Sequence, residues 1–156
     1  MLRTLAMVFA LAAGSVDATG LFVVNQPWVR PARAGQNTEA FMDLTSTAGA
    51  TLVDVESPAA AGATLRGPQG TRATGAASVD PIALPAGRLV ALAPGGYRVA
   101  LRAVTRTLKL GERVTMTLTI VYDDGSRASI PVDAEVRLRS PIDDERRAHA
   151  HTPHRP

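Results

Sequence analysis

An all-β sandwich of antiparallel strands is the fold this sequence predicts, and three observations predict it. From Leu21 onward there are about eight short strand-like segments, separated by turn signals at the spacing usual in sandwiches and barrels. No segment shows a convincing helical period. Aromatic residues make up only 4% of the chain, so the core must come from Val, Leu, Ile and Ala, while 11 prolines and 13 glycines supply the turns.

The elements follow in chain order. Residues 1–18 read as a secretory signal: Arg3 gives a positive start, Leu5 to Ala13 an apolar run, and Val16-Asp17-Ala18 a small-x-small cleavage site. The run is too short for a permanent membrane anchor. Leu21 to Val24 is the first strand. In Pro27-Trp28-Val29-Arg30-Pro31, two prolines flank the only tryptophan, which predicts an edge or crossover with the indole plugging the core. Thr38 to Ser46 alternates, with Ala40, Met42 and Leu44 on one face. Thr51 to Glu56 puts Val53 and Val55 on one face, and Ser57-Pro58 ends it.

The stretch from Ala59 to Pro81 is irregular, with Thr64-Leu65-Arg66 its best strand. Ile82 to Leu84 and Leu89 to Leu92 bracket a Pro85-Ala86-Gly87 turn. Arg88 to Ile120 is expected in the middle of the sheet. After Pro94-Gly95-Gly96, the two-residue period sends Tyr97, Val99 and Leu101 to one face, and Arg98, Ala100 and Arg102 to the other. Val114, Met116, Leu118 and Ile120 share a face opposite Thr115, Thr117 and Thr119. Asp123-Asp124-Gly125-Ser126 turns the chain into Ile130 to Leu138, with Ile130, Val132, Ala134, Val136 and Leu138 inward. The folded domain is expected over residues 19–139. Residues 140–156 are charged and polar, and a disordered tail is expected there.

The composition narrows the function. The net charge of +3 comes from arginines scattered among carboxylates, with few aromatic residues to stack bases, so nucleic acid is not an expected partner. With no cysteine there is neither a disulfide framework nor a thiol for lipid attachment. The expectation is a soluble, monomeric, periplasmic protein without stable membrane insertion. The folded region has no histidine and no cysteine, which argues against a Ser-His or Cys-His nucleophile, and no enzymatic role is expected.

Several segments in order resemble the periplasmic PCuAC copper chaperones: Trp28-Val29-Arg30-Pro31, the strand Ala40 to Leu44, the strand end Asp54 to Pro58, Ile82 to Gly87, Leu92 to Tyr97, Leu108 to Val114, and Pro131-Val132. The resemblance implies a cupredoxin-like, Greek-key sandwich that carries copper, with a cuproprotein or a respiratory oxidase under assembly as partner. It also implies a Cu(I) site made of a histidine, a methionine and a downstream His-x-Met pair, soft donors suited to monovalent copper. The matching positions here are Arg66, Ala77, Arg98 and Ala100, none of which can donate a lone pair to a metal. Met42 and Met116 read as core. The expectation is therefore a copper-chaperone-like protein with a degenerate core site.

Two sources of binding are left. His149, His151 and His154, in His-Ala-His-Thr-Pro-His, are spaced to wrap one Cu(II) or Zn(II) ion, against the simpler case of a solvated tail. Alternatively, Arg66 and Arg98 converge where a cation sits in the family. They then serve an anion or an acidic protein partner in a non-metal binding module, or are neutralised internally by Glu56 or Asp80, or merely snorkel at a sheet edge.

Overall fold

In the computed structural model, residues 20–68 and 81–150 are described, with side chains through residue 148. The signal segment 1–18, Ala77, Asp80, His151 and His154 lie outside the described residues, and His149 is described only as backbone. Nine strands and one helix follow in order: β1 (Phe22–Val29), β2 (Thr38–Ser46), β3 (Ala50–Glu56), β4 (Ala60–Arg66), β5 (Ile82–Leu84), β6 (Leu89–Leu92), β7 (Arg98–Val104), β8 (Arg113–Tyr122), β9 (Arg127–Val136) and α1 (Pro141–Ala150).

The strands form one continuous sheet in the order β4-β7-β2-β1-β9-β8-β3-β5, with β6 added to β2. The sheet curls until β4 packs near β3 and β5 near β2, giving two layers joined through β1. Between named strands only the β1–β9 pair is parallel. One core fills the space between the layers. It includes Val99 and Leu101 of β7, Met42 and Leu44 of β2, and Val114, Met116, Leu118 and Ile120 of β8, all buried as their alternation requires. Met42 and Met116 are core side chains.

Several expectations need correction. β1 does not stop at Val24, nor is it an edge. It runs through Pro27 between β2 and β9. A bulge between Asn25 and Trp28, with Gln26 at φ 48°, takes Pro27 out of the ladder, so its missing N–H costs no pair. Trp28 is 5% exposed but lies outside the central core cluster. It stacks on Phe41 instead, with ring centroids 4.6 Å apart.

A second bulge, between Leu52 and Asp54, shifts the period of β3, so Leu52 and Val55 face the core rather than Val53 and Val55. β7 and β8, consecutive in the chain, are not neighbours in the sheet. Tyr97 is 36% exposed and Leu138 68%, because both lie outside the strands they were expected to extend.

The helix is also new. Residues 141–150 are helical where a disordered tail is expected. Ser140 caps them: its Oγ accepts from Ile142 N at 3.3 Å, and its carbonyl accepts from Asp143 N and Asp144 N. Pro141 stands in the first turn, where a missing N–H is tolerated, and Asp143 and Asp144 meet the positive end of the helix dipole. Arg137 donates to Asp144 at 3.0 Å and so fastens the helix to the end of β9.

Candidate functional site

The outward face of β4, β7 and β2 holds the residues singled out in the sequence. Register sets them in rows. Arg66 of β4 is opposite Arg98 of β7, Thr64 is opposite Ala100, and Gly62 is opposite Arg102. On the other side of β7, Ala100 pairs with Glu39 of β2. Arg30 follows β1, and its N–H donates to the Glu39 carbonyl at 3.1 Å. These residues surround an open cleft of about 430 Å³, whose lining includes Arg30, Glu39, Arg66, Ala100 and Arg102.

The four guanidiniums are not equivalent. Arg98, only 16% exposed, has its Nε 2.8 Å from Glu39 Oε1, a charge contact without hydrogen-bond alignment. Its Nη1 donates to the carbonyls of Gly67 (2.9 Å) and Gly96 (3.2 Å). Arg98 is thus a staple that ties the exit of β4 and the entry of β7 to β2. Arg30 sits 3.9 Å from the other Glu39 oxygen, with its guanidinium 5.4 Å from the centre of the Phe41 ring.

Arg102 lies across Gly62: a Cβ there would come within 3.1 Å of its Nη2, so the glycine provides the room. Neither Arg66 nor Arg102 has an ion pair or side-chain hydrogen bond among the described residues.

The structure sets Arg66 opposite Arg98, with Ala100 two residues further along β7, and corrects the counter-ion of Arg98. It is Glu39, not Glu56, which is exposed and pairs in register with Thr117 on β8. Glu39 escapes the sequence reading because its partner Arg98 lies on a strand far along the chain, and Arg30 because it stands just past β1 and meets Glu39 and Phe41 only once β2 pairs back on β1. The alternation of β2 offered a signal, since it turns Glu39 away from the core with Phe41 and Asp43. Among the described residues no group of three or more His, Cys, Asp or Glu side chains gathers to hold a metal. No helix among them is long and apolar enough to cross a membrane.

The curled β-sandwich is that of a PCuAC-type domain, as the matching solved structures show. The family model that matches residues 22–136 is described as "Putative lipoprotein LpqE-like", and the chain belongs to that family. A relative, "Putative lipoprotein Lxx21020" from Leifsonia xyli subsp. xyli, is 29% identical over 113 residues, 70% of this chain. The match spans 66% of that relative's own length.

Among solved structures, the apo PCuAC domain from PmoF1 superimposes with a TM-score of 0.61 at 26% identity, covering 76% of this chain and 94% of that one. The solution structure of the Cu(I) form of DR1885 from Deinococcus radiodurans gives 0.53 at 28% identity, covering 81% and 85%. The cupredoxin-like fold and the copper-chaperone-like kinship read from the sequence therefore hold. The lipoprotein description meets a chain in which none of the 156 residues is a cysteine, so a thioether-linked lipid has no attachment point among them.

Proposed function

We infer that this protein is an exported, copper-chaperone-like domain whose strand face at Arg66, Arg98 and Ala100 does not grip Cu(I). The face binds an anionic group or an acidic protein partner instead. The observation that carries this reading is the state of Arg98, whose guanidinium is engaged by Glu39 and two backbone carbonyls while Arg66 stands opposite it. A guanidinium keeps its charge and has no lone pair to offer, and an alanine has no donor atom, so the residues present do not fit a soft monovalent ion. Export through the signal at residues 1–18 to the periplasm fits a family described as lipoproteins.

A Cu(I) competition titration against a chromophoric chelator tests the reading. Cu(I) is expected to stay with the chelator. Tight binding that survives replacement of His149, His151 and His154 by alanine would overturn it. Restoring donors with Arg66→His, Ala77→Met, Arg98→His and Ala100→Met together is expected to confer Cu(I) binding that the parent lacks.

A second reading rests on the three histidines. Their spacing suits capture of one Cu(II) or Zn(II) ion at the chain end. That affinity is expected to vanish in the variant lacking all three and to be indifferent to Arg66 and Arg98.

A further inference from the structure

The arginine cleft is shaped for an extended ligand rather than a point anion. Arg66 pairs with Arg98, and Arg102 lies four residues further along β7, so their backbones are about 13 Å apart at the ~3.3 Å rise of a strand. Their side chains do not converge, because Arg102 is laid flat across Gly62 towards β4. Arg30 forms the opposite wall beside Pro31, and Ala100 leaves a low floor between the three.

Glu39 already marks where one carboxylate is held, at Arg98 and Arg30, and it neutralises only part of the charge. The remaining guanidiniums face open solvent among the described residues. Carboxylates four residues apart on an extended peptide sit at this same spacing of ~13 Å on one side of the chain.

Resting on the binding role inferred above, we propose that the cleft docks an acidic segment of a partner protein in extended conformation. Glu or Asp side chains four residues apart meet Arg66 and Arg102, and Arg30 closes over them from the β1 end. Glu39 acts as a competing internal carboxylate that weakens binding and sets the specificity for a densely acidic segment.

The test is fluorescence anisotropy of the full chain with a short labelled peptide alternating Glu and Gly, beside the same peptide with Gln for Glu. The Glu peptide is expected to bind and the Gln peptide not, with affinity falling as salt is raised. Arg66→Gln and Arg102→Gln are each expected to weaken binding about fivefold, the scale of one exposed charge pair. Glu39→Gln is expected to strengthen it, with urea melts confirming that the variant stays folded.

Equal binding of the two peptides, or no loss in Arg102→Gln, overturns the proposal. Inorganic phosphate competing as well as the Glu peptide overturns the peptide ligand but leaves the broader anionic reading standing. Failure of both phosphate and peptide to bind ends both.

Discussion

The outer face of β2 is a single row of side chains with two fates. At one end Phe41 is sealed under Trp28, and Ile142 of α1 shares a small cleft with Trp28 and Asp43. At the other end Glu39 lies in an open cleft among arginines. Both ends leave the core at the same two-residue period. The difference lies in what covers them: the Phe41 ring is closed over by Trp28 and the Arg30 guanidinium, while the charged end is left open to solvent. On this domain, cover marks the structural end of the row and openness marks the end proposed for binding.

The largest effect that sharpens the contrast is expected at the sealed end. Trp28→Ala removes a buried ring and its stack, and urea denaturation should show a loss of about 3–5 kcal/mol. A loss no larger than that of a surface residue would break the comparison.

Next comes Arg98→Ala, at the open end yet structural. It leaves Glu39 without its nearest cation and two carbonyls without donors, and a loss of about 1–3 kcal/mol is expected by the same measurement.

Asp43, half-buried near the helix, comes third. Burial pushes its carboxyl above the usual range. The folded state therefore holds its proton to higher pH than the unfolded chain, and stability falls as pH rises through the interval just above the ordinary Asp value. Asp43→Asn should remove that fall and raise the neutral-pH melting temperature slightly. A neutral-pH melting temperature lower than the parent's would show that the charged form is favoured there.

The smallest effect is expected for Arg66→Ala, within about 0.5 kcal/mol, since nothing among the described residues depends on its charge. A large loss would make Arg66 a structural residue like Arg98 and leave the cleft with one fewer binding group.

Much of this was legible in the sequence because strand alternation is local. β2 was bounded residue for residue, and the division of β7 into a Val99-Leu101 face and an Arg98-Ala100-Arg102 face needed only its period. What escaped was of three kinds. Bulges at Gln26-Pro27 and between Leu52 and Asp54 reset the period in mid-strand, and no alternation rule anticipates where an extra residue goes.

Cross-strand partners escaped as well. Glu39 and Arg98 are far apart in sequence and meet only because β2 and β7 pair, a neighbourhood that no local pattern encodes. The helix is a different case, since Ser140-Pro141 followed by Asp143-Asp144 is a start signal that composition overshadowed.

The staple at position 98 limits what else that position can hold. A histidine there offers at most two ring N–H groups on a shorter stem, and cannot serve Glu39, Gly67 and Gly96 at once. Three obligations weigh on one side chain, so a histidine placed there alone would loosen the junction of three strands before it offered a metal any donor. Arginine at this position is thus held by the fold around it, and a metal-binding redesign of the face would first have to rebuild that junction.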